Sequence, residues 1–362
     1  MKPKIHNDRN AAFYKKLFSL VLPIAFQQFM LAAVSASDAL MLGFVNQDSL
    51  SAVSLAGQIT FVFNLFMGGL TMGTSILAAQ YYGKGDMISI EKIFAYVIKV
   101  SFLISAIFFL ATLFIPETLM RIFTNEPQLI SSGIVYLRVV AASYLFTGIS
   151  QIYLCILKNT GCAVKSMVIG STAVVINIFL NAALIYGLLF FPEMGIAGAA
   201  LATSISKLIE MGWAYLESLR EKRARLRIKY CFTTEKNLAR DYWKYTMPML
   251  GDYLVWGCGF TTYSVIMGHL GSDAVAANSI ANIVKNLIVS FCTGLGNGGG
   301  IIVGNELGMG NLKQAKEYGG HLCKLAVISG VLSGVFLVAL TPVIVKVTTL
   351  SPQATGYLKW ML

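Results

Sequence analysis

Charge is scarce in this chain: only 12% of its 362 residues are Asp, Glu, Lys or Arg, against about a quarter in soluble domains. A chain of this length with so few charges does not fold with water as its main solvent. Metal-binding and redox frameworks are missing as well. The three histidines and six cysteines (Cys155, Cys162, Cys231, Cys258, Cys292 and Cys323) show no CxxC or Cys/His ligand spacing, so most of the cysteines read as small buried hydrophobes. No phosphate loop, no Ser/His/Asp spacing and no metal-ligand motif is present, and the glycine run GLGNGGG lies within an apolar stretch. These absences argue against an enzyme, against a resident cofactor and against ATP as the direct energy source. A net charge of +11 might point to nucleic acid. The basic residues, however, fall in the short connections between apolar runs, which makes them orientation signals and leaves nucleic acid without a binding face.

What the chain has in excess is apolar sequence, 56% of its residues. Runs of roughly 20 apolar residues, enough to cross about 30 Å of hydrocarbon, recur along its whole length. They are too long and too uniform for barrel strands, and helices satisfy their own backbone in lipid, so the expected fold class is an all-α polytopic membrane protein. Ten spans are drawn, at 16–45, 51–80, 92–115, 131–157, 166–190, 195–218, 241–269, 275–305, 318–347 and one starting near 352. The first is read as an uncleaved span rather than a signal peptide. Six spans in 1–218 form one lobe, a basic segment over 219–240 links it to the next, and 241–362 holds four more spans.

Lys and Arg sort to one side of these spans. Lys15, Lys16, Lys84, Lys92, Lys158, Lys165, the central segment from Arg220 to Arg240, Lys313 and Lys316 share it, whereas the opposite connections hold only Arg121. The basic side is therefore expected to be cytoplasmic, the N-terminus with it, in a cell membrane that the chain crosses many times.

An offset of 225 positions carries Pro23 onto Pro248 without a gap. The same shift superposes Gly43 on Gly268, Asp48 on Asp273, Gly69 on Gly294, Gly73 on Gly298, Gly83 on Gly308 and Gly85 on Gly310. Apolar sequences match Leu to Leu by chance, but they do not keep turn glycines and a helix proline in register over about 60 residues. Because the offset joins span one to span seven, the repeats are parallel, a design that holds its cargo between two halves and rocks one against the other. The second copy is expected to stop short, inside its fourth span.

An acidic side chain at the centre of a span costs about 2.5 to 3.5 kcal/mol on insertion scales, so each one needs a reason. Asp38 stands about 22 residues into span one between apolar neighbours, where a carboxylate binds a cation or holds a proton; solvation at the headgroup level is the plainer account. Asn177 and Asn181 are four apart on span five, hence on one face, where amides coordinate a cation or glue helices together. Thr203 adds a hydroxyl from span six. Pro23 and Pro248 remove a backbone donor at matching places and are candidate hinges. Asp252, one turn past Pro248, is a candidate second-lobe site or a solvated group near the inner end. His269 and Glu306 read as wetted span ends, and His321 has no evident partner.

These stretches together resemble the multidrug and toxic compound extrusion (MATE) family. The likeness rests on LPIAFQQ, SDALMLGFV, LSAVSLA, GTSILAAQYYGKGD and VINIFLNAALIYG, with the repeat copies MPMLGDY, AVAANSIA and GIIVGNELGMGN. It implies a two-lobed bundle of twelve helices, of which about ten are present. It also implies a monomeric antiporter, embedded in membrane lipid, that exchanges H⁺ or Na⁺ for bulky, often cationic drug-like compounds. The family's cation site falls on Asp38, Asn177, Asn181 and Thr203. Asn181 stands where some members have Asp, Leu154 stands at a position that often supplies an amide, with Gln151 one turn earlier, and Trp256 replaces a second-lobe acid. Two other readings stay open. A lipid-linked sugar or polyprenyl flippase of related fold would need a cationic cavity, and only Lys99, Lys207 and Lys285 lie well within spans. A shortened protein that binds drug without transporting is the third.

Overall fold

The computed structural model describes residues 3–45, 47–188, 191–221, 225–232, 235–269, 272–347 and 352–362. Twelve helices account for nearly all of them: α1 (Pro3–Val45), α2 (Gln47–Lys84), α3 (Met87–Phe114), α4 (Pro116–Arg121), α5 (Pro127–Asn159), α6 (Ala163–Ile185), α7 (Gly195–Arg220), α8 (Ile228–Phe232), α9 (Lys236–His269), α10 (Ser272–Gly308), α11 (Leu312–Val347) and α12 (Pro352–Met361). The ten expected spans correspond to all but the short α4 and α8. Among the described residues, seven helices are both long and apolar enough to cross a bilayer. The long α7 and α9 are not among these: α7 carries Lys207 and Glu210 within its apolar stretch, and α9 is rich in Tyr, Trp, Gly and Thr.

Within the first half α5 is the hub and packs on α2, α3 and α7, while α6 lies between α7 and α1. Lipid tails are as apolar as Leu, so these helices are held by close packing and by hydrogen bonds between them. Phe63, Phe94, Tyr144 and Tyr153 fill the centre. Thr60 and Tyr144 share a hydrogen bond at 2.9 Å, Ser101 donates to the Gly148 carbonyl at 2.7 Å, and Ser75 donates to Asn159 at 2.9 Å.

The two halves meet through α1 against α10 and α2 against α9, with α2 also touching α10. Since the repeat equates α1 with α9 and α2 with α10, the joint is two-fold symmetric: the first helix of each copy packs on the second helix of the other. The repeated glycines sit in it. A Cβ on Gly69 would lie 2.8 Å from Leu250 Cα, and one on Gly294 would lie 2.7 Å from Ala25 Cα. Leu250 and Ala25 are themselves 225 apart. Gly73 faces Thr246 as Gly298 faces Val21, and Gly83 faces Asn305 as Gly308 faces Gln80. Gly304 faces Ala79, its own equivalent, so the axis passes beside that pair.

The ends of α2 and α10 repeat atom for atom. Gly85 and Gly310 both adopt φ +78°. Asp86 N–H reaches Tyr81 O and Gly85 N–H reaches Tyr82 O; Asn311 N–H reaches Glu306 O and Gly310 N–H reaches Leu307 O. This is a Schellman end with glycine in the left-handed position. Asp86 then caps α3 by accepting from the Ser89 hydroxyl and N–H, which hold its carboxyl below the usual range. That stabilisation is fully present above the ordinary carboxylate range and is lost as pH falls from there through the lowered value of the folded state. Gly85→Ala is expected to cost about 1 kcal/mol through the left-handed penalty, read as a lower melting temperature in detergent; an unchanged melt would contradict the motif.

The linker expected over 219–240 is not simply solvated. Arg227 pairs with buried Glu91 at 2.8 Å and Glu235 pairs with Lys92, which pins the segment to α3.

Candidate functional site

Amides on α6 and hydroxyls on α7 form a buried network. Asn181 Nδ2 donates to Asn177 Oδ1 at 3.2 Å, and Asn177 Nδ2 donates to Ser206 Oγ at 3.3 Å and Thr203 Oγ1 at 3.5 Å. Asn177 is 6% exposed and Asn181 1%. The four-residue spacing aims both amides from one face of α6, and Thr203 and Ser206 meet them from adjoining turns of α7. Three of the expected residues thus come together, joined by Ser206, whose hydroxyl the sequence reading passed over. Carbonyl and hydroxyl oxygens of this kind suit a hard monovalent cation or a protonated carboxyl.

Asp38 lies on the backbone of α1, and its side chain is outside the described residues. The nearby geometry is well defined. Tyr186 donates to the Met41 carbonyl at 2.8 Å, and Met41 packs with Val53 against Ile185 and Ala199. The turn of α1 after Asp38 is therefore fixed against the α6–α7 pair, five residues along α6 from Asn181. Gln151 takes no part in the network.

α1 runs unbroken through Pro23 and α9 through Pro248. Each proline leaves the carbonyl four residues earlier, Ser19 or Lys244, without its helical donor. Pro23 also borders an open apolar groove of about 470 Å³ between α1, α6 and α10, walled by Phe26, Phe29, Met167 and Phe291. In the second half Asp252 is exposed. One turn on, Trp256 stacks on Phe260 at 5.6 Å, and both approach Phe61 of α2. This aromatic cluster lies above the glycine joint.

Other polar groups are placed differently from the sequence expectation. Glu306 is not a wetted end: it is 5% exposed, accepts from Asn311 at 3.2 Å and faces Lys16 at 3.8 Å. His321 approaches Glu317 at 3.9 Å. The side chain of His269 lies outside the described residues. A second amide pair went unread in the sequence, although its spacing repeats that of α6: Asn282 donates to Asn278, and Tyr263 of α9 donates to the same oxygen, both at 3.2 Å.

The comparisons agree with this architecture. Among solved structures, an outward-facing multidrug resistance MATE family transporter of the MOP superfamily aligns with a TM-score of 0.86 at 19% identity, covering 96% of this chain and 77% of its own. A MOP superfamily transporter from Pyrococcus furiosus aligns with a TM-score of 0.85 at 20% identity, covering 95% and 76%. By sequence, an uncharacterized transporter of Bacillus subtilis, YisQ, is 24% identical over 83% of this chain and 66% of itself. The probable multidrug resistance protein NorM of Thermotoga maritima is 23% identical over 94% and 73%. The multidrug resistance protein PmpM of Pseudomonas aeruginosa is 26% identical over 85% and 65%. The chain thus spans about two thirds of the length of these relatives. The profile of the MatE family matches twice, over residues 23–183 and 248–362, starting at the two repeated prolines and covering most of the sequence. A helical membrane bundle with parallel repeats, a symmetric glycine joint and both copies of the family profile belongs to the MatE family of transporters.

Proposed function

We propose that this chain exports bulky amphipathic cations across the bacterial plasma membrane, exchanging them for H⁺ or Na⁺ by alternating access. The observation that carries the reading is the buried amide and hydroxyl network on α6 and α7, held against the turn of α1 that follows Asp38. A cation bound there is paid for by leaving the opposite state, since cation and substrate must favour different arrangements for coupling to exist. The multidrug resistance names of the relatives support the substrate class. The aromatic groups at Phe61, Trp256 and Phe260 support it too, because ring faces attract organic cations. The basic helix ends, Lys84 and Arg220 among them, are placed in the cytoplasm, and the two-lobed unit works as a monomer.

One observation weighs against a flippase for anionic lipid-linked sugars. Of the three lysines within spans, Lys207 is neutralised by Glu210 at 2.8 Å. The cavity such a cargo requires thus loses part of its positive charge. The test is ethidium efflux from vesicles holding the unaltered chain, under a proton gradient, a sodium gradient or neither. Efflux under one gradient alone is expected and names the coupling ion. Ethidium binding without gradient-driven movement would instead support the non-transporting binder.

A further inference from the structure

Two turns past Thr203, α7 carries a group that the exporter reading does not use. Glu210 is 3% exposed. Ser150 of α5 donates to its Oε1 at 2.6 Å, and Lys207 donates to its Oε2 at 2.8 Å. At 1.5 Å per residue, about 15 Å of helix separates Glu210 from Arg220, the basic end of α7. A buried ion pair is poor glue, because apolar residues of similar size hold a fold at least as well. Ionisable groups at this depth call for a functional account.

The neighbours of Glu210 supply one. Thr203, Ser206, Glu210, Glu217 and Glu221 recur along one face of α7. From the amide cluster the path runs through Asn177 to Ser206, one turn to Glu210, and two further turns to Glu217. Lys165 of α6 pairs with Glu217 at 2.6 Å and also with Glu221. Beside Lys165, Ser166 Oγ is fully buried and has no hydrogen-bond partner among the described residues. Between the two glutamates this face carries the small, buried Ala214 on one edge and Trp213 on the other.

We propose that the coupling cation passes between the amide cluster and the Arg220 end through the first lobe itself, along the α5–α6–α7 seam, with Glu210 as its intermediate binding point. The arriving H⁺ bonds to a carboxylate oxygen of Glu210, or Na⁺ sits beside it. The Lys207 ammonium, whose side chain is 23% exposed, swings out. When the ion moves on, Lys207 returns. One monovalent cation enters as one ammonium leaves, so the carboxylate is never left as an uncompensated charge. The direction of flow rests on the exporter reading; the seam itself does not.

The test has two arms, both on the full chain. In the first, Lys207→Cys in membranes is treated from the Arg220 side with a quaternary-ammonium thiosulfonate, over the background of the six native cysteines in the unaltered chain. Labelling from that side is expected, and no labelling overturns the seam. In the second, Glu210→Gln with Lys207→Met removes the pair without leaving a lone charge. Ethidium affinity, measured in detergent, is expected to stay within about twofold. Gradient-driven efflux is expected to fall at least about tenfold, the loss of an ion-pathway group. Efflux within about twofold of the unaltered chain overturns the proposal. If the unaltered chain moves no ethidium under either gradient, the exporter reading fails, and the labelling alone decides whether the seam conducts.

Discussion

Gly308→Ala is expected to lower the melting temperature of the detergent-solubilised chain by more than most single glycine substitutions, with Gly83→Ala close to it. A methyl on Gly308 would overlap the carbonyl oxygen of Gln80 and lie 2.7 Å from its carbon; on Gly83 it would meet Asn305 in the same way. These neighbours are backbone atoms in the last turns of α2 and α10, so no side chain can rotate away, and the helices must part. Overpacking of this kind costs about 1 to 3 kcal/mol, and the double substitution strikes both symmetric contacts of one joint. Gly57→Ala and Gly212→Ala are the controls. Both glycines are helical, and a Cβ on either meets nothing within 4 Å. There alanine is expected to stabilise by about 0.5 to 1 kcal/mol, the usual helix preference over glycine. Equal melting shifts at all four positions would dismiss the joint.

Much of this was legible in the sequence, because the bilayer enforces it. Apolar length gave the spans within a few residues: 131–157 became Pro127–Asn159, and 275–305 became Ser272–Gly308. The misses occur where helices leave the hydrocarbon. α1 begins at Pro3 rather than 16, since PKIHNDRN is polar and carries no span signal even though it is helical. The register of 225 was readable from glycines, yet its meaning was not, since a glycine can serve a turn or a close approach. Only the packing separates Gly85, which turns, from Gly83, which touches. Asn177 and Asn181 were readable from spacing on one helix. The Glu210–Ser150 and Glu91–Arg227 contacts join residues far apart in the chain, and no local pattern encodes such partners. Lys207 was noticed within its span; the Glu three residues later was the available signal.

Under the proposed exchange, Asp38→Asn is expected to abolish gradient-driven ethidium efflux, a loss of at least about a hundredfold for removing the titratable group of the proposed ion site. The fold should survive, since the amide keeps the size of the carboxyl. Asn177→Leu probes the same site from its best-defined member. It removes both the acceptor for Asn181 and the donor to Ser206 and Thr203. The bonds to Ser206 and Thr203 cross to α7, and such interhelical hydrogen bonds are worth about 0.6 to 1.7 kcal/mol each, so a modest drop in melting temperature is expected whatever the network does. The discriminating readout is therefore efflux per folded molecule. If the network holds the coupling cation, that rate falls at least about tenfold even after the loss of folded protein is corrected for. If Asn177 is only helix glue, the corrected rate is unchanged and the cation site must lie elsewhere. Asn181→Asp supplies the complementary sign. If Asp38 and the α6 amides form one site, as proposed, a second carboxylate there would raise the proton affinity of the pair through like-charge repulsion, moving the pH at which efflux is half-maximal upward in a proton-coupled exporter. A pH profile unmoved by this substitution would separate Asn181 from Asp38 and leave the α6 amides as packing.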